Sequence, residues 1–192
     1  LFIKRKPTMI KRSFCIGSEW LFYKIYTGLR TSDIILTEKL YPIIASLIEN
    51  GIITKWFFIR YNDPDNHIRL RLNCNGIEKT NIAINQLFPI FNEFIESDII
   101  WKLQTDTYVR EIERYGENTI IDSESIFYHD SEMILDYISL KPYFEKDEVQ
   151  LRAALLDDCK CHLADCECRP SYYFACSIAK RNEAKPWERA GY

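Results

Sequence analysis

Residues 56–72 read WFFIRYNDPDNHIRLRL. A polar, turn-forming centre, NDPDN, separates two runs rich in aromatic and β-branched residues, which is the pattern of an antiparallel hairpin. Side chains in a strand alternate between faces, so in the returning arm Ile68, Leu70 and Leu72 share one side and His67, Arg69 and Arg71 the other. The apolar side has to meet a core. The cationic side is harder to explain, because guanidinium groups two residues apart repel each other and no acid alternates with them in this strand. The plain explanation is a half-solvated sheet showing polar residues to water. The alternative is an anionic ligand between the cations, or carboxylates from a neighbouring element.

Working outward from the hairpin, the upstream stretch EWLFYKIYT (19–27) is aromatic and β-branched and reads as a strand with much of both faces buried. Ser32 or Asp33 then suits the cap of a helix whose apolar residues Leu36, Leu40, Ile43, Ile44, Leu47 and Ile48 recur at three- and four-residue steps and end at Asn50–Gly51. Downstream, the set Ile84, Leu87, Phe88, Phe91, Phe94 and Ile95 predicts a second helix from Asn81 to Glu96, bent or shifted by Pro89. The run IIWKLQTDTYVREI (99–112) alternates as one fourth strand, ERYGEN forms a loop, and a third helix covers Ser123 to Ser139. The fold class is therefore α+β: an antiparallel-dominated sheet with helices on one face, in β-α-β-β-α-β ferredoxin-like order, followed by a third helix.

Composition bounds the function. With 47% hydrophobic and 28% charged residues, the 192-residue chain has the make-up of one folded domain. A formal net charge of -3 gives no electrostatic footprint for nucleic acid. No apolar run is long enough to cross a bilayer, and the basic opening LFIKRKPTMIKR lacks a signal-peptide core, so the cytoplasm is the expected location. Residues 1–18 read as a basic N-terminal segment and 19–155 as the domain. Residues 156–192 lose apolar periodicity and crowd five of the seven cysteines, reading as an atypical, disordered or out-of-frame tail. Its C-x-C pairs, Cys159/Cys161 and Cys166/Cys168, lack the spacing of a zinc knuckle, so no metal is expected.

Arg110, Glu111, Glu113 and Arg114 cluster at the end of the fourth strand, either supplying further cations or neutralising one another. His67 is a candidate acid or base because its ordinary pKa lies closest to neutrality, and is equally placed to be a turn residue. His129, beside Asp130, reads as structural. No glycine-rich phosphate loop, nucleophile elbow or metalloprotease helix is present.

Three motifs in order, WFFIRYNDPDNHIRLRL, DTYVREIERYG and ESIFYHDSE, resemble the C-terminal domain of class I lantibiotic dehydratases, which also occurs in thiopeptide-type bacteriocin biosynthesis. The likeness spans residues 19 to about 140. It implies that a large N-terminal domain glutamylates Ser and Thr of a precursor peptide using glutamyl-tRNA, and that this smaller domain eliminates glutamate to leave dehydroalanine or dehydrobutyrine. Carried over by motif, Arg69, Arg71, Arg114 and Glu111 are the catalytic set. His67, Arg60 and Arg110 are placed with the substrate, Arg60 in a supporting position. The implied partners are the glutamylated peptide and the glutamylating domain or subunit, with room for association with a membrane-bound biosynthesis complex, and no cofactor is implied. The family's further histidine, near the end of the domain, has no match in the cysteine-rich stretch, as expected of a cut domain joined to unrelated sequence or of a short form. Two rivals remain: a peptide-binding module without chemistry, and a related pyridine-forming synthase, against which the RLR and REIERYG motifs speak.

Overall fold

The computed structural model describes residues 10–140. The tail assigned to 156–192, with its cysteine pairs, and residues 1–9 lie outside them. A two-residue strand, β1 (Ser13–Phe14), precedes the long β2 (Trp20–Tyr26). A helical run follows: α1 (Leu29–Ile34), a π-helical stretch (Ile35–Leu40) and α2 (Tyr41–Glu49). The hairpin strands are β3 (Lys55–Tyr61) and β4 (His67–Asn73), followed by α3 (Ile77–Glu96). The rest comprises β5 (Lys102–Thr105), β6 (Tyr108–Val109), the single turn α4 (Ile112–Tyr115) and α5 (Ile120–Leu140).

The main sheet has the order β3-β4-β2-β5 and is antiparallel throughout. β4 therefore lies between the two strands joined by the first helical run, which is the split β-α-β arrangement of the expected α+β fold. Leu21, Tyr23, Ile25, Trp56, Phe58, Ile68, Leu70 and Leu72 form one sheet face, packed against Leu36, Leu40, Ile44, Leu47, Leu87, Phe91, Phe94 and Leu135 from the helices. Burying each such side chain stabilises the fold by roughly 1.5–3 kcal/mol.

Several boundaries differ from the sequence expectation. The first helix starts at Leu29 rather than after Ser32 or Asp33: the Ser32 hydroxyl donates to the Leu29 carbonyl, and Asp33 pairs with Arg60. Its π-helical stretch ends just before Pro42, which has no N–H for the carbonyl four residues back and whose ring collides with it. The second helix starts at Ile77 because Asn75 and Gly76, at φ 53° and 124°, make the turn that launches it. Pro89 stays inside that helix on its exposed side, where water reaches the carbonyl left without a partner. The third helix starts at Ile120.

The fourth strand is two strands. β5 extends the main sheet beside β2, whereas β6 pairs with β1 in a separate ribbon. The break falls at Asp106, whose Oδ1 accepts the Thr107 N–H and takes that donor out of any ladder. The ribbon covers one end of the second sheet face, where Phe14, Trp20, Phe22, Phe57 and Tyr108 make a compact aromatic cluster. The face expected to meet water is thus partly roofed. α5 lies along the edge strand β3 and gives Leu135 to the helix-side core while Phe127 packs on the aromatic cluster.

Candidate functional site

The second sheet face is set by register. Arg71 lies between Phe22 and Phe57, Arg69 between Lys24 and Ile59, and His67 between Tyr26 and Tyr61. The hairpin thus supplies the central row of cations, and β2 and β3 supply its walls.

Arg71 is 9% exposed. Its guanidinium carbon lies 4.5 Å from the Phe22 ring centre, 5.1 Å from Phe57 and 5.2 Å from Tyr108. The ring faces attract the cation, each by about 0.5–2 kcal/mol. They offer no acceptor, however, and Nε and Nη1 are buried without a hydrogen-bond partner among the described residues. Burial pushes the Arg71 pKa down to about 10; Tyr108, Glu111 and Asp106 oppose the shift and Arg69 adds to it. The group is therefore a cation at neutral pH, wrapped in aromatic carbon.

Arg69 is half-buried and lies over the Tyr61 ring at 3.7 Å. Its Nε–H donates to His67 Nε2 at 3.0 Å, and His67 Nδ1 is 2.8 Å from the Asp65 carbonyl. Lys24, across from Arg69 on β2, pairs with Asp106 at 2.5 Å. Hydrogen bonding to Lys24 holds the Asp106 carboxyl below its ordinary range. Asp106 is thus the neighbouring carboxylate that relieves part of the repulsion, but it pairs with the lysine.

The other expected residues divide. Glu111 and Arg114 are exposed and face each other across α4 at 3.5 Å, with Glu111 close enough for its charge to favour protonated Arg71. Arg110 is buried, and Glu124 takes it in a fork through Nε at 2.7 Å and Nη2 at 2.6 Å, while Nη1 donates to the Lys11 carbonyl. The same Glu124 accepts the Tyr108 hydroxyl at 2.9 Å, so Arg110 braces the roof over Arg71. Arg60 alternates with Trp56 and Phe58 toward the helices and pairs with Asp33 at 2.5 Å, on the face opposite Arg69 and Arg71. It therefore stands apart from the cationic row of β4. Sequence reasoning missed Lys24, Asp106, Tyr61 and Tyr108; the alternation of Phe22, Lys24 and Tyr26 was a usable signal, but the register that sets Lys24 against Arg69 was not.

An antiparallel α+β sheet carrying an aromatic-walled cationic face defines the structural class. Within it, the family model described as "Lantibiotic biosynthesis dehydratase C-term" matches residues 20–188, and the chain belongs to that family. The matched span runs past the quoted motifs and through the cysteine-rich stretch. The chain is 31% identical over 141 residues to the nisin biosynthesis protein NisB of Lactococcus lactis subsp. lactis, covering 72% of this chain and 14% of that protein. It is 29% identical over 117 residues to the subtilin biosynthesis protein SpaB of Bacillus subtilis, covering 60% of this chain and 11% of that one. It therefore spans only a small part of the curated relatives it matches. Among solved structures, the tRNA-dependent lantibiotic dehydratase MibB from Microbispora sp. 107891 superposes with a TM-score of 0.64 at 23% identity, over 76% of this chain and 14% of MibB. TsrL superposes at 0.50 with 15% identity, over 73% of this chain and 39% of TsrL. No described helix is long and apolar enough to cross a membrane.

Proposed function

We propose that the face carrying Arg69 and Arg71 is an anion-stabilising wall of a glutamate-elimination site, acting on glutamylated Ser and Thr of a lantibiotic precursor peptide. The observation that carries the reading is Arg71, buried with two guanidinium nitrogens unpaired among the described residues, beside a second arginine. Such burial costs stability unless a ligand completes it. In the elimination a base removes the Cα proton, the Cβ–O bond breaks, its electrons leave with the glutamate carboxylate, and a Cα–Cβ double bond remains. Negative charge grows on the peptide carbonyl oxygen and on the leaving group, where fixed guanidinium donors stabilise it. Arginine stays protonated and is a poor base, so its part is electrostatic. Glu111 lies close enough to Arg71 to favour its charge and carries Arg114 beside it, Arg110 organises the wall through Glu124 and Tyr108, and the glutamylating part of the dehydratase supplies the substrate.

The test is to incubate the 192-residue chain with a glutamylated Ser peptide and follow glutamate loss by mass. The expected result is loss with the parent chain and none with Arg69→Ala or Arg71→Ala. A peptide that stays intact with the parent chain would overturn the assignment of chemistry. Peptide-binding without chemistry is the second reading, favoured by one observation: of the two described histidines, His67 has both ring nitrogens engaged and His129 lies on α5 beside Lys55. Binding without product would support it.

A further inference from the structure

We infer that His67 is a positioning residue for Arg69, working as a fixed hydrogen-bond acceptor and not as an acid, a base or a substrate contact. The inference rests on the proposed role of the cationic wall. Arginine Nε carries only a donor, so the contact at 3.0 Å requires His67 Nε2 to accept. In a neutral imidazole the hydrogen is then on Nδ1, where the Asp65 carbonyl stands 2.8 Å away to receive it. The hairpin turn thus selects the tautomer that strand β4 needs.

The ring cannot swing to another role. His67 is 4% exposed and flanked by Tyr26 at 4.8 Å, nearly parallel, and by Tyr61 at 5.6 Å. Tyr61 also lies under the Arg69 guanidinium. One tyrosine and one histidine therefore fix both the plane and the rotation of Arg69. With Nε committed to His67, the terminal Nη groups, which have no hydrogen-bond partner among the described residues, are the edge left for a carboxylate. With Nε2 on Arg69 and Nδ1 on the Asp65 carbonyl, neither ring nitrogen is left to meet a substrate.

Two substitutions separate the acceptor from the ring. His67→Phe keeps the packing on Tyr26 and Tyr61 and loses the acceptor, whereas His67→Gln keeps an acceptor near the same place. In nitrogen-15 spectra of the whole chain, with Arg69→Lys identifying the signal, the Arg69 Nε–H should be protected from water exchange in the parent and in His67→Gln and unprotected in His67→Phe. Affinity for a glutamylated Ser peptide should fall about tenfold or more in His67→Phe and be largely restored in His67→Gln. A protected signal in folded His67→Phe, or full affinity once protection is lost, would overturn the inference. Undiminished binding by Arg69→Ala would instead overturn the reading of the wall itself. That failure is distinct from one in which Arg69→Ala loses affinity and His67→Phe does not.

Discussion

Arg71 is held against its own hydration. Its pKa is lowered to about 10, chiefly by burial, so the unfolded chain holds the proton more tightly and the charge weakens the fold at every pH below that value. Arg71→Met, which fills the space between Phe22, Phe57 and Tyr108 with apolar atoms, should therefore raise unfolding stability by about 1 kcal/mol in urea titrations, while peptide binding is lost. A less stable variant would show that the aromatic rings alone repay the burial. The alternation that groups His67, Arg69 and Arg71 was legible in the hairpin sequence. The side on which Arg60 falls was not, because Trp56, Phe57 and Phe58 put aromatic residues on both faces of β3 and parity could not tell the helix side from the other. The role of Arg110 was hidden for another reason: its partner Glu124 is fixed by how α5 docks, which no local pattern encodes.

At the scale of elements, α5 closes an edge that would otherwise pair with other chains. Along β3, Lys55 donates to Ser125, the Trp56 indole N–H to Glu132 and the Phe58 N–H to the Ser131 hydroxyl. Ser131→Ala strands the buried Phe58 N–H, at an expected loss of about 1–3 kcal/mol in urea unfolding and faster hydrogen exchange at Phe58. The same helix carries one group, His129, that favours unfolding in acid. Burial, and then the Lys55 charge, lowers the His129 pKa from 6.5, so as pH falls through 6.5 the unfolded chain gains a proton before the folded chain does, and stability drops until the lower folded value is passed. His129→Gln should gain on the parent as pH is lowered from about 7 to about 5, read from urea midpoints at each pH. A constant gap would show that His129 does not contribute to the acid response. Helix existence was legible here from apolar spacing, but the starts were not, because Asn75–Gly76 and Gly28 launch helices without a side-chain cap.

At the scale of the whole molecule, one sheet has two unlike faces. Among the described residues the helix side is sealed with apolar side chains and the β1–β6 ribbon roofs one end of the other, with Lys24, Arg69 and Gln104 on the part beyond the cluster around Arg71. Strand order followed from the hairpin and the alternation of strands with helices. The ribbon did not, since two residues of β1 carry no readable period and β6 continued the alternation of β5. The family membership agrees with this architecture, and on the proposed function the wall recognises a glutamyl group on a peptide. The most direct measurement is calorimetric titration of the whole chain with a Ser peptide and with the same peptide glutamylated on Ser. Clear preference for the glutamylated peptide is expected, weakening with salt and abolished in the Arg69→Ala/Arg71→Ala double variant. Equal affinity for the two peptides, or a preference that survives the loss of both arginines, would contradict it.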